Sequence, residues 1–283
     1  MVIELMQPLF ERARREGWTL LPEKDGFRLL EELGVSTPIS LEFQDPAELS
    51  DELLDQLPGD FVVLKASCAD LAHKTDTGGV QILRRNKKEI ESAARRMAEQ
   101  LRGREQRGFL LQEYIDVELA LGEELLLSLC WDREFGPVLT LGSGGIHAQT
   151  LGSHLMPESA FAIAAVDLLD RDTFAASATR LLAAVLLAQG QRGRPARISL
   201  ETLSESVISW ARRAAPLMER EVEEIEINPL VVRRGEPVAL DVLVRLAPRR
   251  LAPAIDRPAE KIKCLLEPDS IGVVGVSKEL NPG

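Results

Sequence analysis

Nowhere in the 283-residue sequence do about 18 apolar residues run together, the minimum for a helix that crosses a bilayer, and no membrane role is expected. A basic surplus is also missing. With a formal net charge of -11, the chain lacks the dense positive surface that nucleic acid or an anionic membrane would attract. Cysteine is scarce: Cys68, Cys130 and Cys264 are odd in number, far apart and without a C-x-x-C spacing, which argues against a disulfide framework or a zinc site. The segment from Met1 to Gly17 carries Glu4, Glu11, Arg12, Arg14, Arg15 and Glu16, so it lacks the uninterrupted apolar centre of a secretory signal. A reducing cytoplasm is the expected setting. There is no G-x-x-x-x-G-K-[ST] phosphate loop, no G-x-S-x-G elbow and no H-E-x-x-H pair, so three common catalytic designs drop out.

What is present is a globular composition, 45% apolar and 28% charged, long enough for one large or two medium domains. Phe27, Leu29, Leu30 and Leu33 repeat at helical spacing and Gly34 stands where a left-handed cap ends a helix. Asp45-Pro46 offers a cap and first-turn proline for a second helix carrying Leu49, Leu53, Leu54 and Leu57. Phe61 to Lys65 and Gly79 to Leu83 read as strands, and Lys87 to Leu101 as a helix entered from Asn86. Phe109 to Ile115, Glu124 to Trp131 and Val138 to Leu141 read as three strands of one sheet. Pro157 to Leu169, Thr173 to Gln189 and Leu200 to Met218 read as helices, and Val222 to Ile227, Leu230 to Val232 and Val238 to Val244 as strands. The fold class is therefore α/β, with α+β character in its second part, and residues 248 to 258 form a Pro/Ala/Arg-rich linker.

Two clusters could carry chemistry. In Lys65 to Val80 a strand ends on a lysine, and His73-Lys74-Thr75-Asp76 leads into Gly78-Gly79. An ammonium beside bare backbone amides suits phosphate oxygens, although a solvated surface loop has the same composition. His73 alone reads more readily as a loop histidine than as a phosphoryl acceptor or a general base. In the second cluster, strand alternation puts Glu224, Glu226 and Asn228 on one face, and a neighbouring strand can bring Asp241 beside them. Hard oxygen donors of this kind suit magnesium, and equally a charged outer sheet face. The loops Gly142 to Gly145 and Gly190 to Arg194 add glycines and guanidinium groups that could meet an anion.

Taken together, Lys65 to Val80, Phe135-Gly136-Pro137-Val138-Leu139 running on to Gly144-Gly145-Ile146, Gln191-Arg192-Gly193, and Glu226-Ile227-Asn228-Pro229-Leu230 with Ala239-Leu240-Asp241 resemble the ATP-grasp region of the ADP-forming acyl-CoA synthetases. The resemblance covers roughly residues 20 to 246. It implies an ATP-grasp fold of two subdomains with the nucleotide between them, the first over residues 1–104 and the second over 105–247, followed by a linker over 248–267. It also implies ATP and magnesium as cofactors, and an acid–thiol ligase reaction that passes through an acyl phosphate and a phosphorylated histidine.

Residue by residue, the resemblance gives Lys65 the ATP phosphates together with Ser67, Gly78 and Gly79, and makes Gln112-Glu113-Tyr114 the hinge strand facing adenine. Glu124 would lie near the ribose or the hinge, Gly144 and Gly145 would border the phosphate end, and Glu226, Asn228 and Asp241 would hold magnesium. His73, flanked by Lys74 and Asp76, resembles the histidine that shuttles phosphate. The implied partners are CoA-binding, phosphohistidine-bearing domains or an α-type subunit, with CoA and a small carboxylic acid as substrates of a full enzyme that is oligomeric. Residues 268–283 resemble the opening of that CoA-binding Rossmann-like domain, too short to complete it, as in a fragment of a fused synthetase or a truncated product. One departure stands out. Where the family carries an acidic pair after its G-G-I, this chain has Gln149 and Ser153, which leaves a second expectation open: an ATP-sensing module with impaired turnover.

Overall fold

The computed structural model describes residues 2–68, 78–103, 106–117, 122–190, 193, 195–247 and 259–272. Helix α1 (Val2–Arg15) buries Met6, Leu9, Phe10 and Ala13, a stripe at three- and four-residue spacing. Helix α2 (Glu23–Glu32) follows Pro22, buries Phe27, Leu29 and Leu30, and stops at Gly34 with φ +85°, a conformation that only glycine adopts without strain. Strand β1 (Ser40–Phe43) comes next. The helix expected from Asp45 to Leu57 is divided. Asp45 closes a capping box over a single 3₁₀ turn, Pro46–Glu48, Leu49 is extended, and Ser50 caps the separate short helix α3 (Asp51–Leu54). Two successive side chains that bond backbone N–H groups compete with one continuous helix, and they win here.

Strands β2 (Phe61–Cys68) and β3 (Val80–Arg84), helix α4 (Lys87–Gln100) and strand β4 (Gln106–Glu113) complete a four-stranded sheet in the order β1-β4-β2-β3, antiparallel throughout. Asn86 caps α4, its side chain accepting from Glu89 N at 3.2 Å. One face of this sheet, with Val62, Leu64, Ala66, Phe109 and Leu111, packs on Ile90, Ala93, Ala94 and Met97 of α4 to form a small core.

The second sheet contains β5 (Leu125–Asp132), β6 (Gly136–Ser143), β7 (Phe161–Ala165), β8 (Val222–Arg233), β9 (Glu236–Ala239) and β10 (Val242–Leu246), ordered β10-β8-β5-β6-β7 with β9 paired to the far end of β8. Around it lie α5 (Ala148–His154), α6 (Pro157–Ala160), α7 (Arg171–Ala178), α8 (Leu182–Gln189) and α9 (Leu200–Met218). The large core joins the inner face of this sheet to α9, to α8 and also to α1 and α2. Fully burying a side chain such as Phe27 or Leu217 contributes about 2 kcal/mol.

Other expectations are corrected as well. The strand at Phe109 belongs to the first sheet, where β4 pairs with β2 over Val62↔Glu113 to Cys68↔Gln106, because Phe109 and Leu111 fill the small core there. A division at residue 104 therefore cuts that sheet, and α1 and α2 pack into the large core of the second one. The segment from Pro157 to Leu169 is one helical turn followed by β7, because the open edge of β6 offers backbone partners from Val138 to Gly142. The helix expected from Thr173 to Gln189 breaks at Thr179, whose hydroxyl donates to Ala176 O at 2.6 Å, and restarts after Leu181.

Residues 1–251 form one compact unit and 252–283 another. In the second, helix α10 (Ala259–Leu266) lies in the C-terminal half of the expected linker, and residues 268–272 are not in a strand. The Gly/Ser turn expected beyond them lies outside the described residues. No helix among the described residues is long and apolar enough to cross a membrane.

Candidate functional site

Alternation along β2 sends Val62, Leu64 and Ala66 into the small core, and Val63, Lys65 and Ser67 to the opposite face. Lys65 is 5% exposed. Its Nζ donates to Glu23 Oε1 at 2.5 Å and to the Leu240 carbonyl at 2.7 Å, with Asp241 Oδ1 at 3.9 Å and the Phe27 ring centroid at 5.7 Å. Gln112, opposite Val63 in the β2–β4 ladder, donates from Nε2 to the same Leu240 carbonyl at 3.2 Å. The first sheet thus holds the turn between β9 and β10 by one oxygen. Gln112 Oε1 is buried and has no hydrogen-bond partner among the described residues. Next to it, Glu113 accepts from Arg233 at 3.0 Å and from Ile39 N at 3.3 Å, tying the end of β4 to β8. Tyr114 meets Phe61 edge to face at 6.0 Å between centroids.

The facing wall comes from the second sheet. Val242 pairs with Ile227, which sets Asp241 across from Asn228, and Asn228 N donates to Asp241 O at 3.4 Å. Asp241 Oδ1 accepts from Val242 N at 2.8 Å. Asn228 Oδ1 accepts from Gly145 N at 2.8 Å, and Gly144 N donates to Glu124 O at 2.7 Å. Burial pushes the Glu124 carboxyl above the usual range, with His147 pulling modestly the other way. A contiguous line of groups therefore runs from Lys65 through Asp241, Asn228 and Gly145 to Glu124. Glu226 lies two residues from Asn228 on the same face of β8, opposite Ser128 and Leu243.

Other expected residues lie elsewhere. Glu224 shares that face, but its carboxylate accepts from Arg245 at 3.1 Å and its neighbour is the Cys130 thiol at 3.6 Å. Ser67 lines an open pocket of about 1290 Å³ together with Trp18, Arg107, Asp25 and Glu42, and Trp18 there is flanked by the guanidinium groups of Arg12 and Arg107. Gly79 is buried and accepts from Ala66 N at 2.8 Å, whereas Gly78 is exposed with φ +72°. His73, Lys74 and Asp76 lie outside the described residues, as do Gln191, Arg192 and Arg194.

Sequence reasoning missed Glu23 and the Leu240 carbonyl. An acidic residue in a first helical turn is commonplace, and nothing in the sequence marks a backbone oxygen as an acceptor for two side chains. As for metals, no three His, Cys, Asp or Glu side chains gather among the described residues. Asp241 and Asn228 face each other across the β8–β10 ladder, and a carboxylate and an amide oxygen are hard donors that suit a magnesium ion holding several waters and phosphate oxygens.

A family model described as an ATP-grasp domain matches residues 12–246. The chain belongs to the ATP-grasp family. Among relatives, the β subunit of ADP-forming acetate–CoA ligase I from Pyrococcus furiosus is 26% identical over 236 residues, 82% of this chain and 94% of that subunit. The ADP-forming 4-hydroxybutyrate–CoA ligase of Nitrosopumilus maritimus is 28% identical over 241 residues, 84% of this chain but 32% of that protein. This ATP-grasp domain thus spans nearly all of the separate subunit and about a third of the longer ligase. A solved structure of acetyl-coenzyme A synthetase 1 from Ca. Korarchaeum cryptofilum, in complex with coenzyme A and Ca-AMPCP, superposes with a TM-score of 0.72 at 22% identity, covering 86% of this chain and 100% of that one, a likeness of fold. The relatives are ADP-forming acid–thiol ligases, and this domain corresponds to their nucleotide-binding part. The ligands of the ATP-grasp family are ATP and magnesium.

Proposed function

We infer that this domain binds MgATP between its two sheets and passes a phosphoryl group toward a CoA-binding, phosphohistidine-bearing partner, as the ATP-grasp component of an ADP-forming acyl-CoA synthetase. The observation that carries this reading is the meeting of Lys65 and Gln112, from the first sheet, with the Leu240-Asp241 turn of the second. In it, Lys65 neutralises phosphate charge, Gln112 to Tyr114 form the hinge beside the base, Glu124 borders the sugar or hinge, and Gly144 and Gly145 let backbone approach the phosphates. Asp241, Asn228 and Glu226 would hold the magnesium, which would neutralise the phosphate oxygens of ATP, the donor of the phosphoryl group, with ADP as the leaving group. His73, with Lys74 and Asp76, receives the group, and Ser67, Gly78 and Gly79 flank the same loop. The acid, CoA and the remaining domains or α-type subunit complete an oligomeric, cytoplasmic ligase.

Helix α5 favours a second reading. Gln149 and Ser153 stand on it where the resemblance expects carboxylates, and Ser153 Oγ is engaged within the helix, donating to Thr150 O at 3.0 Å. On that reading the domain senses ATP without turnover. Incubation with γ-labelled ATP and magnesium, with partner domains added and omitted, separates the two. Acid-labile label on the chain, lost in His73→Ala, is the expected result; MgATP binding without any label selects the sensor. Absence of magnesium-dependent heat with ATP in calorimetry rejects both.

A further inference from the structure

Glu23 has no part in the roles above, yet its carboxylate, 3% exposed, lies 2.5 Å from Lys65 Nζ. Replacing a buried ion pair with apolar side chains of similar volume is often neutral or stabilising, so stability alone is a weak reason for such a pair. Geometry supplies a better one. An ammonium on a four-carbon stem rotates freely and presents three N–H donors. Here one donor is fixed on Glu23 and one on the Leu240 carbonyl, while Asp241 Oδ1 stands 3.9 Å away. The charge is thereby held in a single place, at the turn that carries Asp241. Protein kinases use a lysine–glutamate pair between strand and helix in the same physical sense, where the pair must be formed for the lysine to meet phosphate.

We propose that Glu23 is a positioning residue for nucleotide binding, anchoring the Lys65 ammonium against the Leu240 carbonyl so that its remaining N–H is directed at a phosphate oxygen. The inference rests on the reading of Lys65 as the phosphate ligand. Glu23 touches no nucleotide atom in this arrangement; it acts through Lys65. Its position at the first turn of α2, after Pro22, makes the anchor rigid, since Phe27, Leu29 and Leu30 lock that helix into the large core. The helix N-terminus also favours a negative side chain there.

The test is a double-mutant cycle on the full chain with Glu23→Gln, Lys65→Met and the combination, measuring calorimetric affinity for MgATP and for adenosine, which lacks the phosphates. Glu23→Gln is expected to weaken MgATP about tenfold, equivalent to about 1.4 kcal/mol, and to change adenosine affinity less than about twofold. In the Lys65→Met background it should cause no further loss. Equal weakening of both ligands, or a full tenfold loss in the absence of Lys65, overturns the proposal, because either result means a general structural role. Should Glu23→Gln fail to fold, Glu23→Asp keeps the charge on a shorter stem, and a phosphate-dependent weakening smaller than that of Lys65→Met supports the anchor, while none at all refutes it. If the unaltered chain binds adenosine but gains nothing from the triphosphate, the phosphate role of Lys65 and the anchor fail together. Tight MgATP binding that Lys65→Met lowers and Glu23→Gln leaves unchanged sinks the anchor alone.

Discussion

Adjacent glycines at the exit of β6 should respond very differently to the same methyl group. At Gly145, φ is +70°, and a Cβ would stand 2.1 Å from Glu124 Oε2 and 2.3 Å from its Cδ. The left-handed backbone costs a side-chain-bearing residue about 1–2 kcal/mol, and swinging the Glu124 carboxylate off its rotamer costs about 1 kcal/mol more. Gly145→Ala is therefore expected to lose about 2–3 kcal/mol, or roughly 5–10 °C in Tm for a domain of this size. It should also weaken MgATP, because Gly145 N holds Asn228 Oδ1 at 2.8 Å. At Gly144, the Cβ would meet Leu125 O at 2.3 Å, Leu125 C at 2.4 Å and Leu126 N at 2.7 Å. These are backbone atoms inside a strand paired on both sides and cannot rotate away. Gly144→Ala should exceed about 4 kcal/mol, the range reserved for severe core lesions, and leave little folded protein at 37 °C. Urea and thermal unfolding of both variants measure the contrast. A Gly144→Ala protein melting within a degree of the unaltered chain, or one more stable than Gly145→Ala, would refute the reasoning.

Two further outcomes follow from titratable groups. Burial raises the Glu124 carboxyl in the folded state, so the fold favours its protonated form; the stability this gives is complete below the ordinary value of 4.5 and is lost as pH rises through the higher folded value. Glu124→Gln should flatten the pH dependence of urea unfolding across that window and raise stability at neutral pH, and an unchanged slope would contradict the assignment. Cys130 is half-buried, and desolvation, with Glu224 adding to it, pushes its thiol up to about 11, whereas Cys264 is exposed. Because the thiolate is the nucleophile, iodoacetamide near pH 8 should label Cys264 well before Cys130, with the difference lost in urea; peptide mass mapping reads this, and equal labelling of the folded chain contradicts it.

The parts of the fold that were legible in the chain are those in which local chemistry and tertiary packing agree. Helix α4 has an asparagine cap and an apolar stripe, α2 has a proline entry and a glycine stop, and β2 is a run of branched residues that fills the small core. Where non-local pairing decides, sequence patterns are silent. Phe161 to Ala165 is as apolar as a helix of that length, and only the free edge of β6 makes it a strand. Likewise, β4 has the composition to join either sheet, and the fit of Phe109 beside Phe43, with ring centroids at 5.2 Å, belongs to the first. The site shows the same division. Lys65 was expected at a strand end and Asn228 and Asp241 on neighbouring strands, whereas β2 continues past Lys65 to Cys68 and β8 continues through Asn228, and the partner that holds the lysine is 42 positions away on a helix face. No periodicity could link the two.

The grip on Leu240 is made through its carbonyl, so the identity of the side chain at that position is irrelevant to it. Evolution is thus free to vary residue 240 for packing while the distance between ammonium and aspartate stays constant. Both lone pairs of one oxygen are spoken for, by donors on neighbouring strands. Any widening of the cleft at this turn must part the two together, and the Glu113–Arg233 pair beside them is a separate tie that must also give.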